Sequence, residues 1–214
     1  MKARKIRYIL SFVILSGLLL VFLAWNVCAG SVSISVSEII GSLSGQNLDG
    51  TAANILWKIR LPRALAAAIL GGALALSGYL LQTFFHNPIA GPFVLGISSG
   101  AKLTVALALV FSLGNSLRAS SAVMIIAAFI GAILSMGFVL IMSRRVNQMS
   151  MLIISGVMIG YICSAITDLV VTFADDADIV NLHNWSKGSF SGITWENVAV
   201  MALVVFVVFF IIFF

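Results

Sequence analysis

The sequence predicts an all-α protein, a polytopic bundle of transmembrane helices. Of its 214 residues, 61% are hydrophobic and 9% are charged, and its mean hydropathy is +1.16. A water-soluble domain of this size could not bury so many apolar side chains. The apolar residues also fall in runs of about 20, the length that a helix needs to cross a hydrocarbon core roughly 30 Å thick. Because backbone groups in lipid must bond within their own segment, each run is expected to be a helix.

Six spans are predicted, at residues 8–28, 64–84, 93–113, 120–142, 151–173 and 197–214. The first resembles a secretory signal peptide at its start, where Lys2, Arg4, Lys5 and Arg7 precede the apolar run. Its apolar stretch is too long for a signal peptide, however, and the segment before Cys28 lacks a small-x-small cleavage site. The first span is therefore predicted to be an uncleaved anchor helix.

The distribution of charge predicts the orientation. Four basic residues lie among the first seven, and no further Lys or Arg occurs until Lys58, so the N-terminus is predicted to be cytoplasmic. Alternating the spans then places Arg144 and Arg145 inside, and the acidic residues outside or near the outer ends of spans. The acidic run at residues 175–178 is predicted to be a solvated outer loop.

Small residues recur at every fourth position in the second to fifth spans. Lipid gives helices no hydrophobic drive to associate, so such stripes favour close backbone contact, which predicts a compact bundle without indicating a function. The stripes are Ala67, Gly71 and Ala75; Gly96, Gly100 and Thr104; Ala127, Gly131 and Ser135; and Gly156, Gly160 and Ser164.

A cluster of three cations, Lys58, Arg60 and Arg63, lies at the outer end of the second span, where the positive-inside bias disfavours it. Two explanations remain open. The side chains could snorkel to lipid headgroups, or they could form a basic patch that docks carboxylates of a soluble partner, since Arg offers bidentate hydrogen bonds to acids. Pro62 is expected in the first turn of the second helix, where its missing N–H is not needed.

Several motifs in a fixed order resemble the permease subunits of ABC importers for iron-siderophore, haem and vitamin B12. The resemblance covers nearly the whole chain, and the ordered set is more specific than any one motif. The motifs are Arg60-x-Pro62-Arg63, Asn87-Pro88-Ile89-Ala90-x-Pro92, Leu95-Gly96-x-Ser98-Ser99-Gly100-Ala101, and Trp185 followed by Gly192-x-Thr194-Trp195.

The resemblance implies a permease of about ten spans in a prokaryotic plasma membrane. Such a permease dimerises with an identical or different second permease subunit, rests on two cytoplasmic ATPase subunits and receives its ligand from an extracytoplasmic substrate-binding protein. It moves an iron chelate or cobalamin inward by alternating access, and it is not itself an enzyme, because ATP hydrolysis occurs on the separate subunits. Residues 1–214 are then expected to be the N-terminal portion of a single permease domain, without the C-terminal coupling segment and the last four spans.

The resemblance also implies roles for individual residues. Arg60 and Arg63 are expected to face glutamates of the binding protein, and the role is extended to Lys58, which lies outside the motif.

Five further residues are candidates for the transport pathway or gate: Gln82, Asn87, Ser98, Ser99 and Lys102. For Gln82 and Asn87 the alternative is that they only stabilise helix ends and a turn. Lys102 is expected roughly 10 Å inside the third span, where it either lines the pathway or snorkels to the near membrane face.

No catalytic site, metal site, cofactor or nucleic-acid partner is predicted. The Gly96–Gly100 segment matches Gly-x-Ser-x-Gly, but that motif requires a strand-to-helix turn. His86 and His183 lack partners at metal-ligand spacing. Two rival functions remain open. A secondary transporter would need ionisable groups near the midplane, whereas Lys102 and Asp168 lie toward span ends. A non-transporting scaffold or inactive fragment is also compatible with the sequence.

Overall fold

The computed structural model describes residues 2–45, 50–111, 121–145 and 149–214, and helix is the regular secondary structure found in them. The predicted all-α class is confirmed. The helices are α1 (Lys2–Cys28), α2 (Val36–Leu43), α3 (Thr51–Ile55), α4 (Leu61–Phe84), α5 (Ile97–Phe111), α6 (Ser121–Ser143), α7 (Met149–Thr172), α8 (Asp176–Lys187) and α9 (Trp195–Phe213), with a π-helical turn at Leu56–Arg60 between α3 and α4.

Five helical stretches within these ranges are long and apolar enough to cross a membrane: Arg4–Cys28, Thr51–Phe84, Ala122–Ser143, Met151–Thr172 and Trp195–Phe213. They correspond to five of the six predicted spans. The third predicted span is represented by α5, which has 15 residues and begins after Gly96, whose φ of +72° favours glycine. The predicted boundaries at 113 and 120 lie outside the described residues.

The second span begins earlier than predicted. Helical structure is continuous from Thr51 through the π turn into α4, so Pro62 lies within a long helix and does not open it. Proline cannot donate a hydrogen bond to the carbonyl four residues before it. The π turn accommodates this defect, since the N–H of Leu61 bonds to the Leu56 carbonyl, five residues earlier.

Residues 176–178 of the acidic run are helical, so the predicted loop was wrong there, although Asp175 and Asp176 are exposed to solvent. Asp175 is the N-cap residue of α8, Asp176 and Asp178 lie in its first turn, and Lys187 lies in its last. Acidic groups near a helix N-terminus and basic groups near its C-terminus are stabilised by the helix dipole. The run is therefore the start of a short polar helix.

The chain forms two compact units, Met1–Ala73 with Phe190–Phe214, and Leu74–Ser189. In the first unit, α1 and α9 expose most of their apolar side chains; Phe12 is 72% exposed and Phe206 is 61% exposed. Lipid solvates such surfaces. Among the described residues of the second unit, buried apolar side chains form one cluster of Phe85, Ala90, Leu95, Val139 and Leu152 and another of Val105, Ala106, Leu109 and Leu182.

Within the second unit, α5 packs closely against α6 and α7 through small residues. A Cβ added to Gly100 would lie 1.8 Å from the Ser135 Oγ, and one added to Gly156 would lie 2.7 Å from the Leu95 Cα. The predicted close approach is confirmed at these positions. Gly71 in α4 differs, because a Cβ there would meet no described atom within 4 Å.

Candidate functional site

The predicted docking residues lie on the π turn and the first turn of α4. Lys58 and Arg60 belong to the π turn, and Arg63 is the third residue of α4. Their environments differ: Lys58 is exposed and Arg63 is partly buried, whereas Arg60 is only 6% exposed. The three cations are therefore not equivalent.

Arg60 binds the end of α1. Its Nη1 donates to the carbonyls of Val27, at 2.7 Å, and Cys28, at 2.9 Å, and its Nη2 donates to the carbonyl of Val32. Val27 and Cys28 end α1, where carbonyl groups lack partners within the helix and the helix dipole is negative. The guanidinium thus satisfies acceptors that α1 leaves open.

Arg63 and Lys58 make fewer contacts. The Nε of Arg63 is buried and has no hydrogen-bond partner among the described residues, while the rest of its side chain is partly exposed. Lys58 projects as an exposed ammonium. Docking of a binding protein by Lys58, Arg60 and Arg63 stays a prediction, but only two of the three have charge free to meet a partner.

Two tryptophans tie neighbouring segments of the first unit together. The Trp57 Nε1 donates to the Ser42 carbonyl at 3.3 Å, and the Trp195 Nε1 donates to the Trp57 carbonyl at 2.7 Å. The two rings are 6.3 Å apart between centroids. Sequence reasoning did not single out Trp57; the available signal was the tendency of a tryptophan N–H to seek a partner at the end of a span.

The first two pathway candidates, Gln82 and Asn87, lie where α4 ends. Gln82 is exposed, and its carbonyl accepts the Asn87 N–H at 3.1 Å. The Asn87 Oδ1 accepts the Ile89 N–H at 2.9 Å, which is the geometry of an Asx turn. Asn87 therefore stabilises the turn that leads to α5, and its part in a gate stays a prediction.

The other pathway candidates lie on the first two turns of α5. Ser98 is exposed, Lys102 is partly buried, and residues four apart share one helix face. Ser99 lies toward α7, since its Oγ is 3.6 Å from the Cβ position of Gly160. Lys102 has no hydrogen bond or ion pair with the residues that the structure describes. The pathway roles of these residues stay predictions.

In the described ranges, no group of three or more His, Cys, Asp or Glu side chains is placed to hold a metal ion. Cys28 is exposed and Cys163 is buried, and both are free thiols.

Comparison with known proteins agrees with the resemblance in the motifs. The sequence profile of the FecCD transport family matches residues 18–214. The vitamin B12 import system permease protein BtuC of Klebsiella pneumoniae is 38% identical over 187 residues, 87% of this chain and 53% of that protein. The protein of the same name from Salmonella paratyphi A is 34% identical over 194 residues, 91% of this chain and 55% of that protein.

A solved structure shares the fold. It is described as a metal-chelate type ABC transporter in an inward-facing conformation, and it superimposes with a TM-score of 0.68 at 26% identity, covering 86% of this chain and 55% of the other. The chain thus spans about half the length of the relatives that it matches.

Proposed function

Because the chain belongs to the FecCD transport family, we propose that it forms a membrane-spanning part of the permease of an ABC importer. The observation that carries the proposal is the family match across residues 18–214. The family motifs quoted above lie within this range, and five helices among the described residues are long and apolar enough to span a membrane. The permease moves its ligand into the cytoplasm by alternating access and carries out no covalent chemistry.

The proposed ligand is a bulky metal chelate, either an iron chelate such as a siderophore or haem, or cobalamin. The names of the relatives support cobalamin, and that of the structural neighbour supports a metal chelate in general. Cobalamin is itself a cobalt chelate, so one class of ligand accounts for both.

The proposed partners follow from the importer class. Two cytoplasmic ATPase subunits supply the energy, a substrate-binding protein delivers the chelate from outside, and a second permease subunit completes the pathway. The chain lies in a prokaryotic plasma membrane with its N-terminus in the cytoplasm, as the charge bias favours.

The surface proposed to receive the binding protein is the basic segment of the π turn and early α4. The exposed charge there comes from Lys58 and the partly exposed Arg63. Both suit carboxylates on a partner, Arg63 through bidentate hydrogen bonding and Lys58 as a point charge. Gln82, Asn87, Ser98, Ser99 and Lys102 are retained as the proposed pathway or gate.

Uptake by proteoliposomes tests the proposal. The assembled permease is reconstituted with its ATPase subunits and binding protein, and the entry of radiolabelled ferric siderophore, haem and cobalamin is followed. ATP-dependent uptake of one of them is expected, and an ATPase that cannot hydrolyse ATP is the matched control. Uptake that follows an imposed ion gradient without ATP would replace the proposal with a secondary transporter, and stable assembly without uptake would indicate a scaffold or inactive fragment.

A further inference from the structure

The short helix α2 exposes an apolar stripe formed by Val36, Ile40 and Leu43. These side chains are 61%, 61% and 51% exposed, and their spacing of four and three residues places them on one face of the helix. We propose that α2 is an interfacial helix, which lies along the membrane surface with the apolar stripe inserted where the lipid headgroups meet the acyl chains. The proposal uses only the membrane placement of the chain and does not depend on the importer function proposed above.

The other sides of α2 fit this orientation. Ile39 and Ser42 are buried, and α2 packs against α3, so one side of the helix is fixed to the protein. Glu38 is exposed and lies opposite Val36, since each residue turns an α-helix by about 100°. The helix therefore has one side for the protein, one for lipid and one for water.

Tryptophans mark the level of a membrane interface in the first unit. Trp25 lies in the last turn of α1, Trp57 in the π turn and Trp195 at the start of α9, so each is near one end of a span. Tryptophan is enriched where membrane and water meet. The rings of Trp57 and Trp195 are 6.3 Å apart between centroids, and α1 contacts the π turn. The three span ends therefore lie at one level.

α2 is held at this level by its own contacts. The Trp57 Nε1 donates to the carbonyl of Ser42, in the last turn of α2, at 3.3 Å. Residues 29–35 join the start of α2 to the end of α1. The apolar stripe thus lies at the depth where the exposed apolar surface of α1 ends, and lipid solvates that surface.

Lipid suits the apolar stripe better than water or a soluble partner does. In water, three large apolar side chains would remain hydrated side by side, which soluble surfaces limit. The three side chains carry neither charge nor hydrogen-bonding groups, whereas a surface that binds a soluble protein combines an apolar centre with a polar rim. An interfacial helix needs an apolar face beside a polar one, and this is the pattern of α2.

Electron paramagnetic resonance of spin-labelled α2 tests the proposal. Residues 36–43 are replaced singly by cysteine in a Cys28→Ser, Cys163→Ala background, and the permease is placed in nanodiscs of phosphatidylethanolamine and phosphatidylglycerol. Collisions of the label with oxygen, which concentrates in lipid, are compared with collisions with a water-soluble nickel chelate. The oxygen-to-nickel ratio at the apolar stripe is expected to exceed that at Ser37→Cys by roughly threefold, because the apolar face of an interfacial helix enters the lipid by about 5–10 Å.

Ser37→Cys is the matched control, because Ser37 is exposed on the same helix but lies away from the stripe. If the label at Ile40→Cys meets the nickel chelate as often as the label at Ser37→Cys, the stripe faces water and the proposal fails. If both reagents are excluded at Ile40→Cys, another protein surface covers the stripe, and the proposal fails as well.

Hydrogen exchange supplies a second measurement that needs no label. In the same nanodiscs, Ile40→Glu is expected to speed amide exchange in residues 36–43 severalfold, because a charge on the stripe releases α2 from the lipid. Ser37→Glu adds the same charge on another side, near the helix N-terminus where it is favourable, and is expected to leave exchange unchanged. Equal exchange in the two variants would contradict the proposal. Neither measurement needs ATP, ligand or binding protein, so failure of the importer proposal would be seen separately, in the uptake assay.

Discussion

The two compact units hold their helices by different means. In the second unit, α5 meets α6 and α7 at glycines, where the backbones approach so closely that Gly100 and Gly131 have no room for a Cβ. In the first unit, long side chains instead donate hydrogen bonds to backbone carbonyls of neighbouring segments, as Arg60, Trp57 and Trp195 do. Lipid offers no hydrophobic drive for association. Helices therefore need close dispersion contacts, hydrogen bonds to carbonyls, or both. The close contacts at glycines are found in the second unit, and the long side-chain hydrogen bonds are the feature of the first.

The largest expected effect comes from filling the glycine contact on α6. A Cβ on Gly131 would lie 2.2 Å from the Thr104 Oγ1 and 2.3 Å from the Gly100 carbonyl oxygen, so Gly131→Ala should lower the free energy of unfolding by roughly 1–3 kcal/mol. Steric trapping in bicelles measures this quantity. Gly137→Ala on the same helix is the control, because its Cβ would meet no described atom within 4 Å. Equal losses in both variants would show that close approach is not what stabilises α6.

A smaller effect is expected from the hydrogen bond that supplements this contact. The Thr104 Oγ1 donates to the Ala127 carbonyl on α6 at 2.7 Å, and Thr104→Val should cost about 1 kcal/mol in the same assay. Thr172→Val is the control, since the Thr172 Oγ1 donates to the Asp168 carbonyl of its own helix. If Thr172→Val costs as much, the bond between helices adds nothing beyond a bond within one helix.

In the first unit, Trp195→Phe removes the indole N–H that bonds to the Trp57 carbonyl and retains an aromatic ring. A net loss of about 0.5–1 kcal/mol in unfolding free energy is expected, because the site is partly open to its surroundings. Trp25→Phe is the control, as that ring is 69% exposed on α1. If Trp195→Phe lowered the free energy of unfolding as much as Gly131→Ala, this hydrogen bond would stabilise the first unit as much as the glycine contact stabilises the second, contrary to the prediction.

The smallest effect concerns pH and the start of α2. The Ser35 hydroxyl and backbone N–H donate to the Glu38 carboxylate at 2.7 and 2.8 Å, and these bonds hold the pKa of Glu38 below its usual value. A lowered folded-state pKa means that the stabilising contribution is complete above the unfolded-state pKa and is lost as pH falls through the folded-state value.

NMR titration of the α2 amides should therefore show this capping box loosening at acid pH, while Glu38→Gln removes the pH dependence. Amides beside Gly100 and Gly131 should not respond, which distinguishes the polar contacts of the first unit from the packing of the second. A titration of α2 unchanged by Glu38→Gln would contradict the assignment.

The sequence predicted those features that depend on length and periodicity. Apolar runs located the membrane spans because lipid sets a minimum helix length, and the Gly131 stripe indicated close packing. The sequence reading missed α2 and α8, which lack long apolar runs. Their local signals were nevertheless present: Ser35 and Glu38 form a capping box, and Gly188, with a φ of +73°, follows the last residue of α8.

The site was predictable in location but not in detail. The basic residues and the motif order indicated where a partner could dock. The burial of Arg60 could not be predicted, because its acceptors are backbone carbonyls about 30 residues away. Every residue has a backbone carbonyl, so no side-chain pattern in the sequence marks these acceptors. The π turn could not be predicted either, because Pro62 is compatible with the start of a helix and with an interruption inside one.

The different exposure of the two cysteines allows the orientation of α1 in the membrane to be measured. Cys28 is exposed at the end of α1, and Cys163 is buried in α7. A maleimide that does not cross membranes should therefore modify Cys28 and spare Cys163, without prior removal of either cysteine. Modification in intact cells would place the end of the first span outside, and modification only in inverted vesicles would place it inside. That single chemical readout fixes the direction in which α1 crosses the bilayer.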